Sequence, residues 1–101
     1  MANPHRGEVE ITIDGQPHVA RLTLGALAEL EETLRADSLV ALVARFEGAS
    51  YTTRDVVALL AAGLRGGGWT GRADDLLTAR IDGGPVAAAR AAAELLARAF
   101  A

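Results

Sequence analysis

Cysteine is absent from this chain of 101 residues, and so is lysine, since all 10 basic residues are arginine. Without a thiol there is no disulfide framework, no thiolate metal site and no cysteine nucleophile, so the chain is indifferent to redox compartment and compatible with the cytoplasm. Arginine as the sole basic residue, beside so much alanine, reads as codon bias in a GC-rich genome and carries no function. Aromatics make up only 4% of the residues although 50% are hydrophobic. A core must then come from Leu, Val and many Ala, which lets helices approach closely and leaves stability resting on packing. No apolar run reaches the roughly 18 to 20 residues of a membrane span, and the opening MANPHRGEVE holds no apolar signal stretch. A net charge of -3 disfavours nucleic acid as a partner.

The length allows one domain with a modest core. Residues 1–7 read as a flexible terminus, 8–22 as a β-hairpin and 23–101 as a helical region. From Glu8 to Ile13 the sequence alternates strictly, with Val9, Ile11 and Ile13 on one side and Glu8, Glu10 and Thr12 on the other. This is the period of a half-buried strand. Asp14 and Gly15 follow, and both tolerate the positive φ of a tight hairpin turn. The returning strand is expected over His18 to Leu22, with Pro17 at its start or on its unpaired edge.

Thr23 is placed to cap the next helix, whose Leu27, Leu30 and Leu34 recur at helical spacing with Leu24 on the border of the stripe. Glu31 can pair with Arg35 one turn on. Asp37 or Ser38 is expected to cap a second helix that turns Leu39, Leu42, Val43 and Phe46 to one face and stops at Gly48. Thr52 and Asp55 form a variant capping box for a third, with Val56, Val57, Leu60 and Leu64 inward and Gly63 where a neighbouring backbone can come close. A short helix is expected around Asp74 to Leu77. Pro85 opens a last helix whose inward face reads as Val86, Ala89, Ala93, Leu96 and Phe100, with Glu94 and Arg98 paired outside. The fold class is therefore α+β and predominantly helical: an N-terminal hairpin followed by four or five short helices.

Catalytic constellations are missing. His5 and His18 have no second metal ligand at helical or strand spacing, and Ser38 and Ser50 lack a glycine elbow, so no catalytic, metal or cofactor site is expected and the chain reads as a non-enzyme. GLRGGGW follows a helix rather than a strand and lacks the lysine of a phosphate-binding loop, so it reads as a flexible helix terminus. Glu29, Glu31 and Glu32 read as a solvated helix face. Trp69 either covers the core or anchors a partner. With Leu95, taken to lie on the outer side of the last helix, it is the candidate partner-binding residue. Thr23, Gly25 and Gly63 are the candidate structural junctions. Gly25 sits in a helix's first turn, and either a strained junction or a close neighbour would account for it. On that reading Gly25→Val is expected to destabilise the fold.

RGEVEITIDG leading into LTLGALAELE, then AAGLRGGG and an alanine-rich terminal helix, resembles the small tail-gene proteins of gene transfer agents related to phage tail assembly chaperones. The resemblance is most specific from Arg6 to Glu31. It implies a non-enzymatic chaperone or adaptor, cytoplasmic, that binds the tape measure protein during assembly, with tail tube subunits as further candidate partners, and that can self-associate. The rival expectations are a structural connector or tail subunit retained in the particle, and a small DNA-binding regulator.

Overall fold

The computed structural model describes residues 2–34 and 39–100. The expected caps Asp37 and Ser38 and the expected Glu31 partner Arg35 lie outside the described residues. Strands β1 (Val9–Ile13) and β2 (Gln16–Ala20) form an antiparallel hairpin. Five α-helices follow: α1 (Leu24–Leu34), α2 (Leu39–Glu47), α3 (Thr53–Gly66), α4 (Ala73–Leu77) and α5 (Gly84–Ala99).

Alternation sets the hairpin, because Val9, Ile11 and Ile13 are all buried. Asp14 (φ 50°) and Gly15 (φ 81°) both take the left-handed conformation that a two-residue turn demands. Since the loop is only two residues long, the returning strand starts at Gln16 and ends at Ala20, two residues earlier than read from the sequence. Pro17 sits inside it, opposite Thr12. Ahead of β1, the flexible lead-in expected through residue 7 meets a hydrogen-bonded turn: the Asn3 carbonyl accepts from the Arg6 and Glu8 amides, and Glu8 Oε1 accepts from the Asn3 amide at 2.7 Å.

Helix α3 is the axle of the fold. Ala58, Leu59, Leu60, Ala61, Ala62, Gly63 and Leu64 are all buried, so it is enclosed around most of its circumference. It packs on α1, α5, α4 and β2, while α5 covers β1. Its N-terminus is closed by a reciprocal capping box, in which Thr52 Oγ1 accepts from the Asp55 amide and the Asp55 carboxylate accepts from the Thr52 amide. Its C-terminus ends in the glycine triplet, which is a contact rather than a loose end. A β-carbon on Gly66 would stand 2.1 Å from the Arg21 carbonyl oxygen, and one on Gly67 would stand 1.8 Å from that of Val19. Helix backbone therefore lies directly on strand backbone, and the Gly63 carbonyl accepts from the Arg21 amide at 2.8 Å.

Two helix faces differ from the sequence reading. Leu24, in the first turn of α1, is 86% exposed, and Ala26 is buried in its place. In α5 the buried side is Ala88, Ala91, Ala92, Leu95 and Leu96, leaving Val86 70% and Phe100 51% exposed. The reason is close helix approach: alanine faces on α3 and α5 bring the two backbones together, and Leu95 fills the space over Gly63. In so alanine-rich a helix, the few larger side chains do not mark the phase.

Candidate functional site

An apolar groove of about 920 Å³ opens beside α3 and α5. Helix α3 supplies Val56, Val57 and Leu60, and α5 supplies Val86, Ala89 and Ala93. Leu76, Leu77 and Ile81 line it from α4 and the following segment, Phe46 from the last turn of α2 and Tyr51 from the connection to α3. It stays open because small side chains on α5 fill little of the space beside α3. Leu77 and Val86, 66% and 70% exposed, carry its apolar lining out to the surface.

Each lining segment is held by identifiable contacts. Phe46 and Tyr51 stack with centroids 4.6 Å apart. Their turn is fixed to α3 by Arg45, whose Nε and Nη2 each donate to Asp55 at 3.0 Å. Burial alone would raise the Asp55 pKa; the Arg45 hydrogen bonds and charge and the Thr52 cap outweigh it, so the carboxyl lies below its ordinary value. The segment before α5 is fixed to the hairpin. Ile13 and Ile81 form an isolated bridge, the Asp14 amide donates to the Arg80 carbonyl at 2.8 Å, and the Asp82 amide donates to the Thr12 carbonyl at 3.0 Å. Gly83 (φ 88°) and Gly84 (φ 73°) then turn the chain into α5.

Among the described residues, the charged side chains lining the groove are Arg80 and Arg90, and no carboxylate lines it. Such a surface can bury the apolar face of a helix or peptide. Among the described residues, no group of three or more His, Cys, Asp or Glu is gathered closely enough to hold a metal ion.

The candidate residues from sequence fall elsewhere. Leu95 is fully buried, so it does not face outward and cannot contact a partner in this fold. The misplacement has the same cause as the shifted phase of α5. Trp69 is half-buried and packs against the core, with its ring over Gly71, where a β-carbon would meet it at 2.1 Å. It lines a smaller recess of about 420 Å³ with His18, Asp14 and Asp75, which adjoins the groove across Leu76 and Ala79. Thr23 caps α1, its hydroxyl accepting from the Ala26 amide at 3.1 Å. At Gly63 a neighbouring backbone does come close, the Arg21 amide donating to its carbonyl, while an added β-carbon would meet the Leu95 side chain at 2.8 Å. At Gly25 neither expected reason holds: its φ is not positive, and an added β-carbon would find only Thr23 Oγ1, at 3.8 Å. Glu29, read as solvated, is clamped by Arg65, which also donates to the Gly71 carbonyl at 2.9 Å. The Glu29 hydrogen bond raises the Arg65 pKa further above its ordinary value.

Sequence reasoning did not find the groove. Val57, Leu60, Leu77 and Val86 were visible as apolar positions, but nothing in their spacing shows that α5 leaves them uncovered.

Fold and groove together define a small helical domain suited to protein contacts, with no helix among the described residues long and apolar enough to cross a membrane. The profile of one family, described as phage tail tube protein, GTA-gp10, matches residues 6–101. The chain belongs to that family, which places it among the tail proteins of phages and gene transfer agents. The match agrees with the tail-gene resemblance; its description names a tube protein and not a chaperone. Comparison with curated proteins and with solved structures gives no match.

Proposed function

We propose that the chain is a non-enzymatic tail assembly chaperone or adaptor that shelters an apolar helical segment of a tail partner, first of all the tape measure protein, while the tail is built in the cytoplasm. The observation that supports this reading is the open groove with exposed Leu77 and Val86 at its surface, in a member of a tail protein family. The reading requires that the tape measure protein expose an apolar helix face before the tube encloses it. A groove that covers such a face transiently would keep it from aggregating.

A second reading is a structural tube subunit, and the family description favours it. A tube wall requires each subunit to meet its neighbours through two different surfaces that close a ring. Here β1 already has β2 on one side and the Ile81 bridge on the other, while β2 carries Pro17, which has no amide to donate. The hairpin therefore offers little for extending a sheet between subunits.

Co-expression with the tape measure protein of the same gene cluster, with quantification of both chains in purified particles, separates the two. The chaperone reading expects a soluble complex, its loss in a groove-filling Ala89→Trp variant with an unchanged melting midpoint, and depletion of the chain from particles. Stoichiometric retention in particles, without a soluble complex, would establish the tube subunit instead.

A further inference from the structure

We infer that the partner segment held in the groove is an amphipathic helix whose apolar face is flanked by acidic side chains, received by Arg80 and Arg90. This rests on the groove being the docking site proposed above, and it specifies the chemistry of what docks. The chain as a whole is acidic, with 13 Asp and Glu against 10 Arg. The groove inverts that balance, since among the described residues its two charged lining residues are both arginine.

Arg45, Arg65 and Arg98 are each committed to a carboxylate, on Asp55, Glu29 and Glu94. The guanidinium groups of Arg80 and Arg90 have no hydrogen bond or ion pair with any described residue. Both residues are exposed. Their backbones, by contrast, are fixed, Arg80 by two hydrogen bonds to Asp14 and Arg90 within α5. Anchored cations beside an apolar lining without carboxylates favour an incoming segment with Asp or Glu next to its apolar stripe, and repel one flanked by Lys or Arg. The α5 wall from Gly84 to Ala93 runs nine residue steps, about 13 Å at 1.5 Å each, enough for two to three turns of a partner helix.

The test is an NMR titration of the full ¹⁵N-labelled chain with two synthetic peptides of about 15 residues that share one Leu/Ile face and carry either Glu or Lys on its flanks. The Glu-flanked peptide is expected to shift the amides of Leu77, Val86 and Ala89 and to bind on the order of tenfold more tightly at low salt, with the gap closing as salt is raised. The double variant Arg80→Glu with Arg90→Glu is expected to reverse the preference. Equal binding of the two peptides, preference for Lys, no shift with either, or concentration-dependent dimerisation that covers the same amides would each overturn the inference.

Co-expression of that double variant with the tape measure protein keeps this inference apart from the chaperone reading. If the wild-type chain and the variant capture the tape measure protein equally, the charge assignment fails and the chaperone reading stands. If the wild-type chain captures none while the peptide preference holds, the chaperone reading alone fails.

Discussion

Arg45 and Asp55 meet through two parallel hydrogen bonds of 3.0 Å, tying the end of α2 to the first turn of α3. The Asp55 side chain is 5% exposed and that of Arg45 24%, so the pair is shielded on one side and solvated on the other. Asp55 also accepts the Thr52 amide, so one carboxylate serves as ion-pair partner and helix cap.

Asp55→Ala is therefore expected to cost about 2 to 4 kcal/mol, because it removes the acceptor of the cap together with the acceptor of two Arg45 hydrogen bonds. Asp55→Asn keeps an acceptor for the cap and is expected to cost less. The sign with pH follows from the lowered pKa: the folded carboxyl ionises more readily than the unfolded one, so its stabilisation is complete above the ordinary value of 3.8 and is lost as pH falls below it through the folded value. Melting midpoints recorded between pH 7 and pH 2 check both points, and Asp55→Asn should flatten the acid limb.

Gly67 and Gly25 are expected to respond in opposite directions to alanine. At Gly67 the new β-carbon would collide with the Val19 carbonyl, and neither backbone can yield without separating α3 from β2, so a loss of more than about 3 kcal/mol is expected. At Gly25 the space is open and the backbone helical, so Gly25→Ala should stabilise by up to about 1 kcal/mol. Chemical denaturation of the two variants measures both changes.

Ala49 ends α2 with φ 55°, where its β-carbon is strained. The Ser50 amide donates to the Arg45 carbonyl and the Ala49 amide to that of Phe46, the bond pattern of a Schellman motif. Gly48, expected to supply the stop, lies one residue too early to take the left-handed position. Ala49→Gly should raise stability by about 0.5 to 1 kcal/mol, read as a higher melting midpoint, whereas Gly48→Ala should bring no such gain.

What the sequence disclosed followed local rules. The alternation of Val9, Ile11 and Ile13, the Asp14-Gly15 turn, the Thr23 and Thr52 caps and the Glu94–Arg98 pair all depend on neighbours within a few residues, and all are present. What stayed hidden depends on distant parts of the chain. The Arg65–Glu29 clamp spans 36 residues, the Ile13–Ile81 bridge joins the hairpin to the approach of α5, and the glycine triplet takes its meaning only from the strand lying on it. Leu95 went astray because alanine dilutes the helical phase signal, and the groove was illegible because uncovered space leaves no mark on periodicity.

The central claim is that the groove, and not another exposed apolar position, is where a tail partner docks. Site-specific photo-crosslinking tests it most directly: a photoreactive side chain is placed at Val86 in the groove, or at Leu24 outside its lining, in cells that express the whole tail gene cluster. A crosslink from position 86 to the tape measure protein is expected, and none from position 24. A crosslink to the tape measure protein from position 24 alone, or from position 86 only to other copies of this chain, would contradict it.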